Sequence, residues 1–231
     1  MIIAIGKIEV SNLIKDIIEI ASGNNEIHEK NKFSKFVHAE GWGIAYLDLN
    51  DEWHACKSIT PIFKDEKIYD FLDIQAKILV LHVRKATRGA KRWINNNQPF
   101  ILNTEKGKFL FAHNGSIDDE LYTKEQYKLH SDSDSSKYFS YILSSADYES
   151  LESIKESIKK LKRFTSANFI LVTPNKVIVG ERYAKDPDYY TMKLYRDNEK
   201  TIVSSEILPT LKDKEWKPLD NMSLIEIPIN R

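Results

Sequence analysis

The chain has 231 residues, 42% of them hydrophobic and 29% charged, the balance of a soluble globular protein long enough to bury a sizeable core. Its 34 basic and 34 acidic side chains cancel, which leaves no electrostatic footprint for nucleic acid or an anionic membrane and points to a small molecule or another protein as partner. The single cysteine, Cys56, excludes an internal disulfide framework, no apolar run reaches the length of a membrane span, and Lys7 and Glu9 break up the N-terminal run, so the expected location is cytoplasmic.

In chain order, the apolar run Met1 to Ile5 predicts a buried strand that begins at the first residue. Leu13, Ile17, Ile20 and Ala21 recur at helical spacing, with Ser11 as the expected cap and Gly23 as the stop. Asn24 to Ala39 is polar and reads as a loop with some helix. Gly41 to Leu47 and Trp53 to Ile59 predict a hairpin across Asp48 to Asp51, and Asp65 to Leu72 a short helix. Lys77 to Val83 is an aliphatic run that breaks into Arg84, Lys85, Ala86, Thr87, Arg88 and Gly89. Lys108 to Ala112 is another, closing on His113, Asn114 and Gly115. Helices are expected over Ser133 to Leu143 and Glu149 to Leu161, the second with Leu151, Ile154, Ile158 and Leu161 on one face and its lysines in water. Hairpins follow at Ala167 to Thr173 with Val177 to Tyr183, and at Tyr189 to Tyr195 with Thr201 to Ser205. Met222 to Ile227 is the last strand. Antiparallel strands with clustered helices imply layered α+β packing in one domain over 1–231. No glycine-rich dinucleotide or phosphate loop is present, and nothing in the pattern calls for a cofactor or a metal.

Three motifs stand out for their order and spacing: HVRKATRG at His82 to Gly89, FAHNGSI at Phe111 to Ile117, and SDSDSS at Ser131 to Ser136. Alone, each reads as ordinary turn chemistry, Asn-Gly above all. Together they resemble the class II glutamine amidotransferases, which belong to the N-terminal nucleophile hydrolases. GWGIAYL at Gly41 to Leu47, NQPF at Asn97 to Phe100 and VSSEIL at Val203 to Leu208 extend the likeness toward stand-alone members. The resemblance implies a four-layer α/β/β/α sandwich and attack on the side-chain amide of glutamine or a related γ-glutamyl amide.

The chemistry fits the residue types. A guanidinium pairs with a carboxylate through two parallel hydrogen bonds, so Arg84 is the expected anchor of the substrate α-carboxylate, with Thr87 adding a hydroxyl. Asp134 is the expected acceptor for the α-ammonium. The Asn114 side-chain amide and the Gly115 backbone N–H are the expected donors to the tetrahedral oxyanion. With room in 231 residues for a glutaminase domain but not for an acceptor domain, the ammonia is expected to serve a separate synthase chain, or the substrate is a different γ-glutamyl amide cleaved for its own sake.

The chain departs from the pattern in four places. Family members begin their mature chain with a catalytic cysteine whose own α-amine takes the thiol proton, whereas this sequence begins Met1, Ile2, Ile3. Many relatives carry tryptophan at Lys85, histidine at Arg88 and glutamate at Ser136. Three readings of the missing nucleophile stay open: a cysteine upstream of Met1, a non-catalytic protein that still binds glutamine or a γ-glutamyl compound, or a different nucleophile. For the last, Cys56 shares a strand face with His54. The run His130 to Asp134 is also readable as a metal site or part of a serine triad, with solvated loop as the competing reading.

Overall fold

A computed structural model describes residues 1–85 and 92–229. In chain order the elements are strand β1 (Ile2–Gly6), helix α1 (Val10–Ala21), strands β2 (Trp42–Leu47), β3 (Trp53–Ser58), β4 (Ile78–Val83), β5 (Phe100–Thr104) and β6 (Gly107–Asn114), and helices α2 (Asp134–Ser145) and α3 (Leu151–Lys159). They continue with β7 (Asn168–Val172), β8 (Lys176–Gly180), the single turn α4 (Pro187–Tyr190), and strands β9 (Lys193–Arg196), β10 (Lys200–Ser204), β11 (Lys217–Pro218) and β12 (Leu224–Pro228). The strands make two sheets, ordered β11-β9-β10-β1-β4-β2-β3 and β12-β8-β7-β6-β5. Every pairing is antiparallel. This is the expected mixed α+β fold.

The chain separates into two compact units, one built from Met1–Pro99 with Thr191–Leu219 and the other from Phe100–Tyr190 with the chain from Asp220 onward. In the first, β1 is flanked by β10 and β4, so a strand from the very start of the sequence lies in the middle of the sheet. Its alternation divides its side chains between faces: Ile2 and Ala4 join Leu79, Leu81 and Ile44 against the apolar stripe of α1, formed by Val10, Leu13, Ile14, Ile17, Ile20 and Ala21. Each valine, leucine or isoleucine among them contributes about 1.5–3 kcal/mol when removed from water. In the second unit, α2 and α3 cover the sheet through Phe139, Ile142, Ile154 and Ile158, which pack on Phe109, Phe111, Phe169 and Leu171.

Several local expectations change. Ser11 lies inside α1, whose N-cap is Glu9 without a side-chain cap bond, while Gly23 ends the helix at φ +103° as expected. Residues 24–39 hold no helix. The segment after Asp65 is a 3-10 helix, Glu66–Phe71, with the Asp65 carboxylate accepting from Lys67 N. Tyr189 and Tyr190 are helical, because Pro187 opens a turn there before β9 begins. The strands β5 and β11 were not foreseen.

Candidate functional site

In the second unit, β6 carries the HNG motif to its end. Leu110, Phe111, Ala112 and His113 are buried, Asn114 is the last strand residue, opposite Asn168, and Gly115 takes φ +143°. That conformation and the space around it require glycine: a Cβ at position 115 would lie 2.0 Å from the Ser166 carbonyl oxygen. The Asn114 carboxamide is half-buried and makes no hydrogen bond to another described residue.

Asp134 is placed by the start of α2. The Ser133 hydroxyl caps the helix by accepting from Ser136 N at 3.1 Å, which sets the carboxylate in the first turn, where the helix dipole favours negative charge. Asp134 Oδ2 accepts from Ile117 N at 2.9 Å, so the carboxylate is fastened to the segment that follows Asn114 and Gly115. His113 makes a second link: its Nδ1 lies 2.9 Å from Ser135 Oγ and its Nε2 3.0 Å from the Ser166 carbonyl. Burial pushes the imidazole below its ordinary pKa, against the pull of the Asp134 charge and the Ser166 contact. Ser116 N donates to Thr165 Oγ1 at 3.0 Å, and the Tyr190 hydroxyl reaches the same oxygen at 3.0 Å. Asp134 and the adjacent pair Asn114 and Gly115, about twenty residues apart in sequence, are thus joined by one hydrogen-bonded web.

The first unit places Arg84 directly after β4, buried, with its N–H donating to Gly41 O at 2.8 Å and its carbonyl accepting from Glu40 N at 3.1 Å. Thr87 lies outside the described residues. Met1 is buried beside the end of β10, its amine donating to Ser205 Oγ at 3.1 Å. Burial lowers that amine to about 6, with Glu206 working the other way. The Glu206 carboxyl is pushed up to about 7, chiefly by burial, and accepts from Glu26 N at 3.1 Å. Glu26 stays ionised: burial opposes its charge, but Ile207 N and Lys193 Nζ, both at 2.9 Å, outweigh it. Both ring nitrogens of His38 are shut off from solvent without a hydrogen-bond partner among the described residues. Burial, then the Met1 ammonium and Lys85, drive this imidazole down to about 3.

The alternative nucleophile does not survive. His54 Nε2 is bonded to Asp48 Oδ2 at 2.9 Å and its ring stacks on Tyr46 at 4.9 Å. Cys56 packs against the core of the first unit, and burial pushes its thiol up, away from the thiolate that attack would need. Among the described residues the His130 to Asp134 run brings together no set of three metal-ligating groups, and its Ser133 and Asp134 lie at the start of α2. The sequence reading missed His113, Ser135, Ser166 and Thr165 as supports. A histidine ending the buried run of β6 was the one available signal, since Thr165 and Ser166 lie about fifty residues away in an unremarkable segment.

The family model for class II glutamine amidotransferases matches residues 27–171. An amidophosphoribosyltransferase of Methanocaldococcus jannaschii is 29% identical over 198 residues, which cover 81% of this chain and 40% of that protein. Among solved structures, the glutamine phosphoribosylpyrophosphate amidotransferase of B. subtilis superposes with a TM-score of 0.59 at 18% identity, over 96% of this chain and 49% of its own. A glutamine aminotransferase class-II domain protein from Silicibacter pomeroyi gives 0.59 at 13% identity, over 98% and 93%. At such identities the structures speak for the fold. The chain spans less than half the length of the two phosphoribosyl-type proteins.

Proposed function

The chain belongs to the class II glutamine amidotransferases, and from that membership we propose that it binds glutamine, or a related γ-glutamyl amide, and cleaves the side-chain amide through a cysteine located N-terminal to Met1. The observation that carries this reading is the web that holds Asn114, Gly115 and Asp134 together, laid over the family match. Asp134 accepts the substrate ammonium, and Arg84 pairs with the carboxylate. The Asn114 amide, uncommitted among described residues, and the Gly115 N–H donate to the oxyanion as it forms. Thr87 supplies a further hydroxyl.

The nucleophile would sit where β1 begins. Ile2 pairs with Ser204 and Ser205 N donates to Met1 O at 3.0 Å, so the ladder extends as far as Met1. A thiolate there forms a γ-glutamyl thioester as ammonia leaves, and water then hydrolyses it. The acceptor of the ammonia is a separate synthase chain, or the amide is cleaved for its own sake. A second reading is a binding protein of the same fold without turnover.

Calorimetry with glutamine and an ammonia-release assay, on this chain and on one extended upstream to a cysteine, separate the two. The expected result is binding by both and turnover by the extended chain alone. In that chain Asn114→Ala should lower kcat by about 10²–10³, and Arg84→Ala should abolish binding. Binding without ammonia from the extended chain would leave the second reading standing; unchanged affinity in the arginine variant would remove Arg84 from the site.

A further inference from the structure

The two contacts of His113 fix its proton. Its Nε2 faces the Ser166 carbonyl at 3.0 Å, and a carbonyl oxygen only accepts, so Nε2 carries the hydrogen. In a neutral ring Nδ1 is then a bare lone pair. Ser135 Oγ, 2.9 Å away, must donate to it, and a hydroxyl has a single proton to give. The same oxygen stands 3.5 Å from Asp134 Oδ1, close enough to bond if its proton turned that way. Burial favours the neutral ring, which meets Tyr138 edge-on at 5.2 Å.

We infer that the Nδ1 lone pair of His113 keeps the Ser135 hydroxyl turned away from Asp134, and so reserves Asp134 Oδ1 for the ammonium of a bound amino acid. The inference rests on the glutamine-site reading above for the identity of that ligand. Oδ2 is already taken by Ile117 N at 2.9 Å, whereas Oδ1 meets only the longer 3.5 Å approach of Ser135 Oγ among the described contacts, which makes it the oxygen open to the ligand. His113 is thereby a positioning residue that acts on both halves of this unit's site. Nδ1 controls the carboxylate through Ser135, and Nε2–H holds the carbonyl against which Gly115 is packed.

Two measurements test it on the full chain. Long-range proton–nitrogen NMR of the imidazoles at neutral pH should show His113 protonated at Nε2 and bare at Nδ1. A proton on Nδ1 overturns the inference whether or not any ligand binds. Calorimetry then compares L-glutamine with glutaramate, the same molecule without its α-amine. His113→Gln keeps a donor near the Nε2 position for Ser166 but leaves no acceptor at the Nδ1 position beside Ser135, so its hydroxyl is released to compete for Oδ1. Glutamine affinity should fall about fivefold to tenfold while glutaramate affinity stays the same. Adding Ser135→Ala to that variant should restore glutamine binding to within about twofold of wild type. Unchanged glutamine affinity in His113→Gln, equal losses for both ligands, or no restoration in the double variant would overturn it. If wild type binds neither ligand, the glutamine reading itself falls and the role of Oδ1 with it, a result distinct from wild-type binding with misbehaving variants.

Discussion

Glu206 has the environment of a group whose ionisation opposes folding. Its folded pKa of about 7 stands above the ordinary 4.5, mainly through burial, so the native state holds the proton more tightly than the unfolded chain. The stability tied to that proton is fully present below about pH 4.5 and is lost as pH rises through about 7. Glu206→Gln should flatten that decline, which urea titrations between pH 4.5 and 8 would register; an unchanged slope would move the effect to another group. Gly115 makes a sharper case. Its positive φ and the Ser166 oxygen 2.0 Å from an added Cβ predict that Gly115→Ala costs more than about 2 kcal/mol, read as a lower urea midpoint. Neither position announces this in sequence: the Asn-Gly pair signals a turn, and only the coordinates add the carbonyl behind it.

Among the elements, α2 matters most to the site, because its first turn carries Asp134 and Ser135. Ser133→Ala removes the cap and should cost about 1 kcal/mol, visible in thermal unfolding, with a matching loss of glutamine affinity as the carboxylate loosens. The helix was legible from its apolar spacing, and α1, α3 and most strands were too. β5 was hidden because its alternation fades: Phe100 is buried, Ile101 and Leu102 are half-buried, and Asn103 is exposed. The true signal was the Glu105-Lys106-Gly107 turn, where Gly107 takes φ +118°. Tyr189 and Tyr190 misled in the other direction, since their strand propensity yields to the turn opened by Pro187. The site motifs at Arg84, Asn114 and Asp134 were readable, whereas the residues that hold them arrive from distant segments and leave no spacing pattern.

At the scale of the molecule, charge and topology carry the remaining consequences. With 34 charges of each sign, net repulsion is weakest near pH 7, and β3, β5, β11 and β12 end their sheets. Self-association measured by light scattering at low salt should peak near neutral pH and fall on either side; a flat profile would count against it. Neither unit is continuous along the chain. β1 acquires one of its two neighbours only from β10, about two hundred residues later, and β8 gains β12 only from residues 224–228. A nascent chain leaving the ribosome therefore carries both sheets unfinished until residues 200–228 have emerged, with the central strand of the larger one open along an apolar edge. Emergence of β10 and β12, rather than of either half of the residues before them, becomes the event that commits these two sheets to their native state.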